Sequence, residues 1–178
     1  MKQHFGKVLG ITVILSLILA AYAMSGVRQD MSINHNLYIK LIGPDGKIKE
    51  RREYHNLIVS AGKNAAVKQI LGDTSGGAQP AKFNYVGIGT GTTAEASGDT
   101  ALQAEIGTRQ QQTSPTFPAT GQGQVVISFA AGNGTGAITE AGLFNASSGG
   151  TMLARKTFAV INKGASDVLQ ITWQVTEN

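Results

Sequence analysis

From residue 37 onward the chain alternates apolar and polar positions over short stretches, the period of a strand with one buried face. Leu37, Ile39 and Leu41 alternate with Tyr38 and Lys40, and Gly43-Pro-Asp-Gly46 follows, with Pro and Asp placed to preset a turn. Residues 37–42 and 47–54 are therefore expected as a hairpin. Its second arm, with Lys47, Lys49, Glu50, Arg51, Arg52 and Glu53, has the composition of a solvated edge strand; read for function, it is a basic docking patch. Residues 56–59 form a short apolar strand. Ser60 can cap a helix in which Ala66, Val67, Ile70 and Leu71 make one apolar stripe, and Gly72 ends it.

After a Gly-rich loop over residues 73–81, Tyr85, Val86 and Ile88 mark a strand that breaks into Gly89-Thr-Gly-Thr-Thr93. Residues 100–106 fit either one helical turn or an irregular edge. Residues 108–113 suit a polar edge strand, which Pro115 and Pro118 interrupt. Residues 124–130 and 137–144, joined by Asn133-Gly134, read as a hairpin, and residues 152–161 and 168–176 extend it into a meander or half of a sandwich. About eight strands and one short helix predict a mainly β fold, an antiparallel β-sandwich or jelly-roll-like domain.

The N-terminus differs in kind. Lys2 and Lys7 precede a nearly pure apolar run over residues 8–19, and Ala21-Tyr-Ala23 offers the small residues a signal peptidase reads. The alternatives are a retained membrane anchor over residues 8–24 and an apolar arm buried in an assembly. Residues 25–36 read as a polar linker, so the chain divides into a hydrophobic segment (1–24), a linker (25–36) and a β-sandwich domain (37–178).

Composition narrows the function classes. Charged residues make up only 15% and the 23 glycines sit mostly beside Thr, Ser and Ala, which suits turns and short strands. The net charge is +4, and beyond Lys2 and Lys7 it falls to +2 (13 basic against 11 acidic residues), too little for a nucleic-acid footprint. The chain has no cysteine, which removes disulfides, thiolate nucleophiles and thiolate metal ligands.

No catalytic, cofactor-binding or metal site is expected. The Gly87-Ile-Gly-Thr-Gly91 run lacks the third glycine and following helix of a dinucleotide loop, and no Walker loop occurs. His4, His35 and His55 are dispersed, without metal-ligand spacing, and His35 and His55 read as boundary polar residues. The sequon matches at Asn133 and Asn145 coincide with turns. Glu140 is the one carboxylate inside an otherwise apolar strand and Arg155 lies in the next strand. The two are expected either to pair across strands, worth roughly 0.2 to 1 kcal/mol, or to be separately solvated. Trp173, the single tryptophan, is expected to anchor the core or an interface between subunits.

The motifs G-T-G-T-T (89–93), D-T-A-L-Q-A-E (99–105), I-T-E-A-G-L-F (138–144), L-A-R (153–155) and N-K-G-A-S-D-V-L-Q-I-T-W (162–173) resemble those of small β-rich structural proteins of tailed phages. The likeness covers residues 56–176. It implies a virion surface protein, a capsid decoration protein or tail-fibre component, without enzymatic activity. Its partners would be its own subunits, as a homo-oligomer and by the resemblance a homotrimer, and other virion proteins such as the major capsid protein. Membrane contact through residues 8–24 and no nucleic acid complete the expectation. The alternative is an exported bacterial surface adhesin or filament subunit at the cell surface. The stretch 90–124 is long and polar for a loop in a compact domain, which favours its being covered by a neighbouring subunit.

Overall fold

The computed structural model describes residues 33–75, 78 and 80–177. The chain divides into two units, Met1–Met31 and Ser32–Asn178; the second holds every described residue, and the expectations for residues 1–24 lie outside them. In chain order its elements are β1 (Ile33–Ile42), β2 (Ile48–His55), β3 (Leu57–Ile58), helix α1 (Ser60–Leu71), β4 (Tyr85–Gly89), β5 (Glu105–Gln111), β6 (Thr116–Ala119), β7 (Gln122–Phe129), β8 (Gly136–Phe144), β9 (Met152–Lys163) and β10 (Val168–Glu177). The unit is mainly β, as the alternation predicts, with ten strands in place of about eight. The first strand begins at Ile33, so the last residues of the expected 25–36 linker are strand.

Two five-stranded antiparallel sheets form, one in the order β2-β1-β10-β7-β6 and one in the order β3-β9-β8-β4-β5. Their facing sides share one apolar cluster. Leu37, Ile39, Val125, Ile127, Phe129, Ile171 and Trp173 enter it from the first sheet, and Val86, Ile88, Ile138, Leu143 and Ile161 from the second. At one margin Arg52 of β2 crosses between the sheets and donates to the carbonyls of Ala159 (2.6 Å) and Val160 (3.0 Å) of β9, while Tyr54 stacks on Phe158 with centroids 5.7 Å apart. Backbone acceptors of β9 are thereby paired without a further strand.

Several local expectations are corrected. β7 and β8 do not pair: β7 lies between β10 and β6, and β8 between β9 and β4. The Asn133-Gly134 turn instead carries the chain from one sheet to the other, with positive φ at Gly132, Gly134 and Gly136. The four C-terminal strands are therefore split between sheets and form no meander. Of the two readings of residues 100–106 the irregular edge holds, since residues 100–104 are not helical and lead into the edge strand β5, and the Pro115/Pro118 region includes an edge strand, β6, where a missing N–H is tolerated.

In α1 the residue before the helix, Val59, sits at the N-cap position without a side-chain cap, and Gly72 closes the end in the left-handed conformation (φ 66°, ψ 26°). The expected apolar stripe faces outward: Val67, Ile70 and Leu71 are 52%, 65% and 75% exposed. Gly62 and Ala65 face the sheet instead, because the helix lies so close that a Cβ at position 62 would meet the backbone of Leu153.

Candidate functional site

Two of the buried charged side chains, Glu140 and Arg155, lie together on the outward face of the second sheet. Gly87, Gly89 and Gly142 pair with Gly142, Glu140 and Arg155 in the ladder of β4, β8 and β9, so small residues open a trench there. The loop between β4 and β5, residues 90–104, lies in it. Leu102 sits over Gly87 and Gly142, within 3.3 and 3.2 Å of where their Cβ atoms would be, and joins Val59, Phe144 and Met152 in a second apolar cluster. A Cβ on either Gly89 or Gly91 would lie 2.5 Å from the Glu140 carboxylate. The glycines of the G-T-G run thus make room for a side chain of their own fold, which is a packing role.

Glu140 and Arg155 meet in this trench, both 0% exposed. Their register is offset, Glu140 standing opposite Thr157 and Arg155 opposite Gly142, so they contact along a diagonal that long side chains can span. Arg155 Nε donates to Glu140 Oε2 at 2.9 Å. The same carboxylate accepts three backbone N–H groups of the loop, from Gly91 (3.0 Å), Gln103 (3.1 Å) and Ala104 (2.8 Å). Arg155 also donates to Asp99 Oδ2 (2.8 Å) and to the Thr93 carbonyl (3.1 Å), and Thr139 Oγ1 donates to the Gly91 carbonyl (2.8 Å). Both oxygens of Glu140 are therefore filled by donors. Burial opposes the Arg155 charge, but the hydrogen bonds it donates to Asp99 and Glu140 outweigh it, and its pKa is raised.

A second pair flanks the first. Glu95 of the loop contacts Lys156 Nζ and accepts from the Thr157 N–H at 3.2 Å. Burial works to raise its pKa, yet the hydrogen bonds from Lys156 and Thr157 prevail and hold it at about 2. Further along, Arg109 of β5 is bidentate to Glu105 (2.7 and 2.9 Å). It lies over the Phe144 ring, 3.4 Å from the centroid, and donates to the carbonyls of Ala146 and Gly149. In each case a cation of the chain occupies the centre of a set of oxygens, and the set ties a loop to a strand. The arrangement can brace.

Glu95 and Asp99 escape a periodicity reading because loop residues have no apolar phase to stand out from, and Arg109 of β5 and Lys156 of β9 because a cation in a strand reads like any solvated side chain. Asp99 does fall within the D-T-A-L motif, and the G-T-G-T-T, D-T-A-L, I-T-E-A-G-L-F and L-A-R motifs converge on this one trench. The stretch 90–124 thus holds the clasped loop, β5, β6 and the first residues of β7, so much of it is strand and not loop.

Trp173 is fully buried between β1 and β7. The Asn56 amide, oriented by its partners, accepts from Trp173 Nε1 (2.5 Å) and donates to the His35 carbonyl (2.9 Å). His35 is no boundary residue: it is 4% exposed within β1, its Nδ1 has no partner among the described residues, and burial lowers its pKa from 6.5 to about 4. Among the described residues no cluster of three or more His, Asp or Glu could hold a metal ion. At the opposite end, Asp167 accepts from Lys49 (2.7 Å) and from the Gly164 N–H (3.0 Å), and these bonds lower its pKa. Compared with known proteins, the chain matches no family model, no curated protein and no solved structure.

Proposed function

We propose that the chain is a non-enzymatic structural protein of a phage virion surface, decorating the capsid or contributing to a fibre through contacts between subunits. One observation carries this reading: the motifs of the sequence resemblance meet in the Glu140–Arg155–Asp99 clasp, and every charge there serves to hold a loop on a sheet. Such bracing, in a unit without cysteine, suits a particle that must persist without cross-links. The exposed stripe of α1 and the edge strand β6, where Phe117 is 78% exposed, are surfaces suited to subunit contacts. The homotrimer and the major capsid protein as partner follow from the resemblance.

Mass spectrometry on purified virions tests the reading. Peptides of this chain in stoichiometric amount are the expected result. Recovery only from a host envelope or surface fraction would replace it by the exported adhesin or filament subunit that the signal-like N-terminus favours.

A further inference from the structure

The two sheets differ in what covers their outward faces. The second sheet is roofed by α1 and the 90–104 clasp, whereas the outward positions of β1, β10 and β7 stay partly open to solvent. Register lines these positions up in rows. Gln124 stands beside Gln174, and Gln174 beside Asn36. In the next rows Thr172 stands beside Tyr38, and Gln170 beside Lys40. In the rows from Asn36 to Lys40 the three strands carry one ion, Lys40, and otherwise uncharged side chains, among them amides, a threonine and a tyrosine, while the adjoining edge strand β2 sets Glu53 beside Tyr38 and Arg51 beside Lys40.

Tyr38 is laid along this face. Its hydroxyl is 3.4 Å from Asn36 Nδ2 and donates to Gln174 Oε1 at 3.4 Å, both in the adjacent row, so the ring lies along the strand axis. That posture offers an aromatic platform level with the amides around it. Gln124 and Gln170 have no hydrogen-bond partner for their amides among the described residues, and Asn36 Oδ1 is a buried acceptor without one. A depression of about 320 Å³ opens beside the ring, lined by Tyr38, Lys40, Arg51 and Glu53 among others.

We propose that this face binds a neutral glycan chain. An amide offers a donor and an acceptor side by side, the pattern that adjacent sugar hydroxyls complement. A tyrosine ring supplies apolar area for the C–H face of a pyranose while its hydroxyl remains hydrogen-bonded. Neighbouring strands are about 4.8 Å apart, close to the width of one sugar ring, so the row Gln124–Gln174–Asn36 can follow successive hydroxyls. Along the row Gln124–Gln174–Asn36 a ligand covers amides and no ion, while Lys40, Arg51 and Glu53 stand at its margin, where a neutral ligand can leave them hydrated. The inference goes beyond the structural role and stands without it.

The test is affinity electrophoresis of the full-length chain, in a sugar-free detergent, through gels containing dextran, galactomannan or mixed-linkage β-glucan. Retardation by at least one is expected, unchanged by salt because no ion pair is involved. Tyr38→Ala and Gln174→Ala are each expected to weaken it at least tenfold, and Ser128→Ala to leave it unchanged. The three side chains lie outside the core, so a melt matching the parent protein confirms that each variant is folded. Retardation by none of the three polymers, retention unaltered in Tyr38→Ala, or retardation only by anionic alginate would each overturn the proposal. So would a dimer in sedimentation that Tyr38→Ala dissociates, since the face would then serve a second copy.

Discussion

Replacing Glu140 by alanine strikes the point where the 90–104 loop is fastened. The carboxylate receives N–H groups from Gly91, Gln103 and Ala104 and a charged donor from Arg155, and it is 0% exposed. Its removal leaves three backbone donors without acceptors, each worth about 1 to 3 kcal/mol when buried, and leaves Arg155 with only Asp99 for a counter-ion. Water admitted to the vacated space recovers part of this, so about 5 kcal/mol is expected, a large share of the 5 to 15 kcal/mol that typically separates folded from unfolded states. Arg155→Met is milder. Breaking a buried pair from one side costs about 3 to 5 kcal/mol, and the three N–H groups that still hold Glu140 place this case near 3. Because both changes cut one network, the double variant should resemble Glu140→Ala rather than the sum. Urea unfolding read by Trp173, the single, buried indole, measures all three. Hydrogen exchange adds a local readout, since the amides of Gly91, Gln103 and Ala104 should accelerate ahead of the β8 ladder. A loss below about 1 kcal/mol for Glu140→Ala, or plain additivity, would show that the loop is held by something other than this clasp.

Stability should fall with acid in two stages. His35 has its pKa lowered from 6.5 to about 4, so the unfolded chain takes up a proton first. The contribution is complete above pH 6.5 and declines towards pH 4, by about 3 kcal/mol; a flat melt profile across that window would contradict it. Glu95, held at about 2 against an ordinary 4.5, adds a loss as pH drops from 4.5 to 2 that Glu95→Gln should remove. Trp173→Ala should cost about 3 to 5 kcal/mol by leaving a core cavity, whereas Leu71→Ser on the exposed face of α1 should stay within about 0.5 kcal/mol, both by urea titration. Melts with and without chelator should coincide, because Arg155 and Lys156 already sit among the oxygens of the trench.

The fold class was legible because period-2 alternation is local and each strand carries its own phase. Pairing was not, and β7 and β8 show why. Their connection has a hairpin's turn residues, but Gly132, Gly134 and Gly136 all take positive φ and lead the chain across the core. Nothing in β1 announces β10, its partner from the far end of the chain. The helix misled for a different reason. Apolar spacing marks a face without saying what it meets, and here closeness to Leu153 selected the small residues Gly62 and Ala65 for the buried side. In the trench, Glu140 stood out as a lone carboxylate in an apolar strand, and Arg155 as its neighbour. The estimate of roughly 0.2 to 1 kcal/mol applied to a pair at a sheet surface; burial, which no single strand reveals, makes the same contact a matter of several kcal/mol.

Self-association now needs a different physical basis. Residues 90–104 are fastened by Glu140 and Arg155 of the same chain and much of the rest is strand, so length alone is no argument for a covering subunit, and the α1 stripe is the leading apolar candidate. Fully burying an aliphatic side chain contributes about 1.5 to 3 kcal/mol, and Val67, Ile70 and Leu71 are already between a quarter and a half covered. Two such patches facing each other would give roughly 6 to 12 kcal/mol on that scale. Association itself costs about 4 to 15 kcal/mol, so α1 alone supports a transient contact, and a stable oligomer requires more surface, with Phe117 and the β6 edge the next exposed apolar ground. Light scattering on the full-length chain over a dilution series separates the cases. Dissociation at micromolar concentration that Leu71→Ser accelerates would fit α1 acting alone. A persistent oligomer, indifferent to Leu71→Ser and broken by Phe117→Ser, would place the interface on the sheet edge.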